Sequence, residues 1–310
     1  FVMLLDRPER VVATLNLLVV LALAALALGL VNYFGTTILS HEWAEGHGVR
    51  AGIVRAYIPA MPILSIAFGW VLAVWFTRPA KNLLSGFLVL VLFAAHVFRQ
   101  SRMRLFGTLV YVTWDALIAK RFVSLVTMGV LVVVLASVVS SLYSDENVLL
   151  AQFTSLAEDY KEGRGSWSGR LEQVEIAVDE FMEHPLLGSG ASTLRMEGAS
   201  SPAANIREWK NLALKSDLGY LSWIKAYGLI GVIWFVWFFG YLFFTARRYY
   251  RQLERDDGLL YSVSMFCYSS VVFLLTTFVT LNHLMFPSGI LLVCLVAAIT
   301  VRLKEFNSAS

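Results

Sequence analysis

Long apolar runs, separated mostly by short basic connections, constrain this chain more than any other feature. A helix needs about 20 mostly apolar residues to cross the hydrocarbon core of a bilayer. Runs of about that length recur along the 310 residues, of which 58% are hydrophobic. Only 15% are charged, whereas soluble proteins carry about a quarter. The sequence therefore predicts an all-α polytopic membrane protein.

Eight spans are predicted from these runs, and the fourth is the weakest because it is short and contains Asp115. The predicted spans are residues 11–35, 56–78, 82–99, 102–119, 122–141, 218–246, 258–281 and 283–301. They divide the chain into three parts. Residues 1–141 hold five spans, residues 142–217 form one long loop with amphipathic helical character, and residues 218–310 hold three spans and a tail.

Lysine and arginine in the short connections predict the orientation of the spans. Most of these residues fall on one side of an eight-span arrangement, which is then the cytoplasmic side. They are Arg7, Arg10, Arg78, Lys81, Lys120, Arg121, the arginines of 246–255, Arg302 and Lys304. The long loop falls on the other side, and its residues 142–216 include twelve acidic and seven basic ones. An acidic loop fits an extracytoplasmic location.

The segment "FRQSRMRLFGTLV" places Arg99, Arg102 and Arg104 on the outer side, where basic residues are expected to be scarce. An arginine at the middle of a bilayer costs roughly 2.5–3.5 kcal/mol, and less near the interface. One interpretation is that these side chains extend to the lipid headgroups. The other interpretation is a binding site for an anion, because a guanidinium group can form bidentate hydrogen bonds to phosphate oxygens. A lipid diphosphate would be a natural ligand.

The long loop contains "SWSGRLEQVEIAVDEFMEHPLLGSG", which predicts an amphipathic helix that ends before Pro185. Arg170 leads the apolar stripe of that helix, so we expect it to point inward or toward the membrane. Asp217 lies where the chain re-enters the membrane. It is either an ordinary acidic residue at a helix start or a carboxylate that accepts a proton from a hydroxyl.

Three segments taken in order resemble the superfamily of O-antigen ligases and O-antigen polymerases. They are "RQSRMRLFGTLV", "GRLEQVEIAVDEFMEHPLLGSG" and "DLGYLSWIKAYGLIG". The family pattern is a Ser-Arg pair that opens a span, an arginine before a long outer-loop helix, a "PLLG-x-G" turn and a re-entry segment ending in Gly-x-x-Gly. The matching residues are Ser101, Arg102, Arg170, Pro185 to Gly190, Gly228 and Gly231. The likeness covers roughly residues 99–245.

The resemblance implies a GT-C-like glycosyltransferase of the bacterial inner membrane, with its long loop in the periplasm. The donor would be an oligosaccharide on undecaprenyl diphosphate, and the acceptor a glycan hydroxyl at the outer leaflet of the lipid bilayer. A flippase and a chain-length regulator would be its partners, with no nucleic acid involved. Arg102 and Arg170 would bind the diphosphate. Because family members usually have more than eight spans and the chain begins at Phe1, we also expect an N-terminal portion to be missing.

One departure from the family pattern distinguishes its two activities. Ligases of the family have a histidine eleven residues before the first glycine of Gly-x-x-Gly, and that position holds Asp217 here. The departure favours a polymerase of O-antigen or exopolysaccharide over a ligase that transfers to lipid A-core. Asp217 would then be the general base. Secondary substrate-binding candidates are Arg50, Arg99, Arg104 and Lys215.

No cofactor or metal is expected, because arginines would neutralise the diphosphate and the chain has no Asp-x-Asp motif. The main alternative outside enzymes is a transporter or flippase of lipid-linked glycans. It predicts ionisable residues deep in several spans and a repeat between halves, and we find no repeat. Asp115 lies within about a turn and a half of Lys120 and Arg121, so we expect it to pair with them at the membrane interface. Peptidoglycan polymerases are a second enzyme alternative, but the segment "TLNHLMFPSGILL" does not resemble their C-terminal signature.

Overall fold

A computed structural model of the chain describes residues 5–34, 58, 61–78, 83–98, 102–121, 126, 129–130, 166–190, 218–253, 258–279, 284 and 287–309. These ranges contain no strand, and eight helices account for most of them. The helices are α1 (Pro8–Phe34), α2 (Met61–Thr77), α3 (Leu83–Phe98), α4 (Arg102–Ala119), α5 (Ser166–Glu183), α6 (Tyr220–Gln252), α7 (Leu259–Thr277) and α8 (Pro287–Ala309).

Seven of these helices lie where spans were predicted, and α5 lies where the amphipathic loop helix was predicted. The fifth predicted span, 122–141, falls almost entirely outside the described residues. Within the described part, three helical stretches are long and apolar enough to cross a membrane: Pro8–Asn32, Tyr220–Gln252 and Leu259–Thr277. The protein is therefore an all-helical integral membrane protein, while the count of eight spans and the likeness to GT-C enzymes stay predictions.

Helices α2 and α7 form the centre of the bundle. Helix α7 packs against α1, α2, α4, α6 and α8, and α2 packs against α1, α3, α4, α7 and α8. Both are apolar or small-residue helices buried almost all round. Helix α1, in contrast, buries a single stripe that includes Val11, Leu15 and Ala22, and the apolar side chains on its opposite side are exposed. These are Leu17, Val20, Leu21 and Val31. Such a one-sided pattern is expected of helices that face lipid.

Side-chain hydrogen bonds establish the relative directions of the helices. The Thr77 and Ser262 hydroxyls are 2.7 Å apart, so the end of α2 meets the start of α7. At the opposite end of the bundle, the Tyr220 hydroxyl donates to the Leu275 carbonyl at 2.6 Å, so the start of α6 meets the end of α7. Helix α7 is thus antiparallel to both neighbours, as the predicted alternation of spans requires.

Asp115 corrects one sequence-based expectation. Its place near Lys120 and Arg121 suggested an ion pair at the membrane surface. In the structure Asp115 is fully buried and accepts a hydrogen bond from the Ser269 hydroxyl of α7. The carboxyl points sideways into the bundle because its helix face packs on α7, and it therefore links two helices inside the bundle.

Candidate functional site

We define the outer end of the bundle as the end where α6 begins and α7 finishes, and the sequence predicts the site at this end. Arg102 is the first residue of α4, so its backbone belongs to this end. Five residues later, Gly107 lies against the side chains of Thr277 and Phe273 in the last turn of α7. No larger residue would fit between these helices. Glycine thus allows the first turns of α4 to lie directly beside the end of α7.

The start of α6 lies against the same end of α7. Gly219, with φ of 39°, has its Cα in contact with the backbone at Phe278. The ring of Tyr220 packs on the ring of Phe278 with centroids 5.1 Å apart. The chain that follows position 217 and the helix that Arg102 opens therefore flank one helix end.

Arg104 lies two residues, or about half a turn, further along α4 than Arg102. Arg104 is half-buried, and one nitrogen of its guanidinium group is enclosed by protein. It is close enough to His96 of α3 for an electrostatic interaction. His96 is itself buried, with Nδ1 2.8 Å from the Leu92 carbonyl and Nε2 3.3 Å from the Ser65 hydroxyl. Arg104 thus faces the interior between α3 and α4.

Helix α6 is broken at Gly228, where the sequence predicted one continuous span. The backbone at Gly228 has φ of 59° and ψ of −158°, far from helical values. A helix break leaves N–H and C=O groups without partners on its two sides, and such groups are costly at a membrane. The break therefore needs another segment to satisfy them.

That segment is the "PLLGSG" turn, residues 185–190, which follows α5. On one side of the break, the Leu229 and Ile230 amides donate to the Pro185 and Leu186 carbonyls at 2.9 and 3.2 Å. On the other side, the Lys225 and Ala226 carbonyls accept from the amides of residues 189 and 190 at 2.9 and 3.0 Å. We call this four-bond junction the clasp. The clasp joins the "PLLG-x-G" motif and the Gly-x-x-Gly motif into one structural unit.

Two glycines make the clasp sterically feasible. A Cβ on Gly188 would lie 2.5 Å from the backbone of Ala226, and a Cβ on Gly228 would lie 2.5 Å from the Leu186 carbonyl oxygen. Both glycines also have positive φ, of 72° and 59°. The first glycine of "PLLG-x-G" and the first glycine of "Gly-x-x-Gly" are thus explained by the close approach of backbone.

A polar cluster reinforces the clasp. The Lys225 ammonium is 2.9 Å from the Glu180 carboxylate, which also accepts a hydrogen bond from the Ser189 hydroxyl at 3.0 Å. The sequence reasoning did not identify Glu180 and Ser189, and it did not pair Lys225 with them. The sequence signal that could have indicated this contact is the presence of a glycine motif in both the turn and the re-entry segment.

The clasp fixes the C-terminal end of α5 on α6, and α5 carries Arg170. Ala177 of α5 is buried on the side that packs against α6. Arg170 is seven residues earlier, which is two helical turns and about 10 Å along the axis, so its backbone position is on the same face. The structure thus places the backbones of Arg102 and Arg170 on two elements tied to α6 and α7.

The other predicted site residues are Arg50, Arg99, Lys215 and Asp217, and all four lie outside the described residues. The side chains of Arg102 and Arg170 are likewise not described. Arg104 is the one predicted site residue whose side chain is placed.

Comparison with protein families identifies the region that contains this site. Residues 87–236 match the family model described as O-antigen ligase. This stretch, 150 of the 310 residues, is similar to the O-antigen ligase family. It reaches from α3 across the "RQSRMR" segment and α5 to the first half of α6, so it includes the whole clasp. No curated protein and no solved structure matches the chain.

The likeness is to a family whose members are glycosyltransferase-like enzymes of the ligase and polymerase type. The family match also confirms the resemblance drawn from the three sequence segments. All three segments overlap the matched region, which ends within α6.

Proposed function

We propose that this protein acts as a member of the O-antigen ligase and polymerase superfamily and is a surface-polysaccharide polymerase of the bacterial inner membrane. It transfers a glycan from undecaprenyl diphosphate to an acceptor sugar hydroxyl at the outer face. The observation that supports this most directly is the meeting of α4, α6 and α7 at one end of the bundle. Arg102 opens α4 there, and α6 begins there at Tyr220, three residues after Asp217 in the sequence.

In the proposed reaction, the acceptor hydroxyl oxygen attacks the anomeric carbon of the donor sugar. The bond from that carbon to the diphosphate oxygen breaks, and the electron pair leaves with undecaprenyl diphosphate. The proton of the hydroxyl passes to the Asp217 carboxylate. Negative charge grows on the diphosphate as it leaves, so prepositioned guanidinium groups of Arg102 and Arg170 lower the barrier most at that point.

The remaining sequence candidates have a supporting role in this proposal. Arg50, Arg99 and Lys215 would contact anionic or hydroxylated parts of the substrates. Arg104 would contact the same parts of the substrates from the interior side, where its guanidinium lies near His96. Residues 142–217 would act as the periplasmic loop between the two membrane parts, and the clasp would hold the end of that loop at the membrane.

Three variants test the proposed site in a strain that lacks the native gene. Arg102→Ala, Arg170→Ala and Asp217→Asn are each expected to abolish long glycan chains on a polysaccharide gel. Loss of one charge-stabilising donor group costs about 10²–10³ in rate. Arg10→Ala is the matched control, because Arg10 is an exposed arginine paired with Asp6 at the other end of the bundle. It should leave the ladder intact.

Immunoblots of the membrane fraction must show equal amounts of each variant. A normal ladder in all three variants would mean that the proposed site is wrong. The deletion strain separates polymerase from ligase. Single repeat units on lipid A-core are expected without a polymerase, whereas their complete absence would identify a ligase.

A further inference from the structure

Four large apolar side chains are exposed at the end of α5 and in the turn that follows it. Val178, Met182, Leu186 and Leu187 are exposed by 45%, 70%, 64% and 72%. They belong to the loop between membrane helices, where water would be the default surrounding. Contiguous exposed apolar side chains of this size mark a contact surface.

Helix α5 has three distinct faces. Ala177 is buried against α6, and Val178 and Met182 lie beside that packed face. The acidic residues Asp179 and Glu183 are exposed on the far side. A packed face, an exposed apolar face and a charged face in this order are typical of a helix at the surface of a membrane.

The depth of this surface follows from α6. Its arginines begin at Arg247, which marks one boundary of the membrane. A hydrocarbon core of about 30 Å corresponds to about 20 helical residues. Counting back from Arg247 places the other boundary near Gly228, where the clasp joins the turn to Leu229 and Ile230. The turn therefore lies at the level where the acyl chains meet the headgroups.

The exposed apolar surface also continues directly onto the membrane-facing side of α6. Leu229, Ile230 and Ile233 are exposed by 46%, 56% and 69% on a helix long and apolar enough to span the bilayer. Leu186 is bonded through its carbonyl to Ile230, so the turn extends the same apolar side.

We propose that Val178, Met182, Leu186 and Leu187 form a membrane-contact surface inserted among the headgroups and upper acyl chains of the adjacent leaflet. Lipid is the occupant because the surface is continuous with the lipid-facing side of α6 and lies at the boundary depth. This surface holds α5, and with it the backbone of Arg170, at the membrane. The inference stands on geometry alone and does not depend on the proposed glycosyl transfer.

Depth measurements with a fluorescent label test the surface in the full chain, reconstituted in lipid nanodiscs. The exposed Cys294 is first replaced by alanine, while Cys267 is buried and protected from the label. Single cysteines are then introduced by Met182→Cys and Leu187→Cys, with Asp179→Cys as the matched control on the acidic face. Each carries an environment-sensitive dye.

Lipids brominated on the upper acyl chain should quench the dye at positions 182 and 187 several-fold more than at position 179. Aqueous iodide should show the reverse order. Equal quenching at positions 179 and 182 by either reagent would overturn the proposal. Protection of position 182 from both reagents would also overturn it, because another protein segment or a second copy would then cover the surface.

Discussion

Substitution of Gly228 by alanine is the most informative perturbation of the structure, because this residue sits at the break in α6. Its backbone conformation, with φ of 59° and ψ of −158°, is essentially restricted to glycine. An alanine there stores about 1–3 kcal/mol of strain. The added Cβ would also lie 2.5 Å from the Leu186 carbonyl oxygen and 2.6 Å from the amide nitrogen of Gly188. The turn must therefore move away.

Movement of the turn lengthens or breaks the hydrogen bonds from the Leu229 and Ile230 amides. Each such bond contributes about 1 kcal/mol, and more where the freed group stays buried. Together with the strain, the clasp is expected to lose about 3–5 kcal/mol. Because 1.4 kcal/mol corresponds to a factor of about ten, the clasp should open about 10²-fold or more frequently.

Hydrogen–deuterium exchange followed by mass spectrometry, on protein in nanodiscs, measures this opening. Peptides that cover residues 185–190 and 225–232 should exchange much faster in Gly228→Ala than in the unmodified protein. Gly240→Ala is the control in the same helix, since its added Cβ meets no atom within 4 Å. It should leave exchange in these peptides unchanged. If these peptides exchange at the same rate in Gly228→Ala as in Gly240→Ala, the conformation of Gly228 does not stabilise the clasp, and the reasoning is refuted.

Two further predictions concern polar contacts, and thermal unfolding of the purified protein checks both. Glu180→Gln should lower the free energy of unfolding by about 1 kcal/mol, because its ion pair with Lys225 is partly exposed. Glu180→Lys should be more harmful and should be partly rescued by Lys225→Glu, so an absence of rescue would argue against the pair. Ser269→Ala should also cost about 1 kcal/mol by removing the interhelical bond to Asp115. Ser264→Ala, which loses only a bond within α7, should cost less, and equal losses would contradict the role of the Asp115 contact.

Much of the helical architecture was predictable from local pattern. The predicted span 102–119 coincides with α4, and the amphipathic segment in the loop forms α5, which ends at Glu183 before Pro185 as expected. Such predictions succeed because the run of apolar residues and the period of the helix depend on neighbours in the chain. The resemblance within residues 99–245 also depended only on the order of motifs along the chain, and the family match to residues 87–236 confirms that resemblance.

Three features were not predictable in this way. The segment around Gly228 was expected to be part of one continuous helical span, because a glycine inside an apolar run often remains helical. Asp115 was expected to pair with nearby basic residues, whereas it reaches Ser269, which is 154 positions away. The pairing of Glu180 with Lys225 joins a residue of the long loop to a residue of α6. Each depends on a partner that is distant in sequence.

By itself, the sequence determined that this chain has the apolar helices of a membrane protein and a region similar to the O-antigen ligase family, since hydrophobic length and motif order require no knowledge of neighbours in space. The tertiary structure alone decided that the "PLLGSG" turn completes the broken helix at Gly228 and thereby ties α5 to the membrane bundle. The physical reason is that orphaned backbone groups at the break take their hydrogen bonds from whatever segment packs there. Only the assembled fold determines that segment.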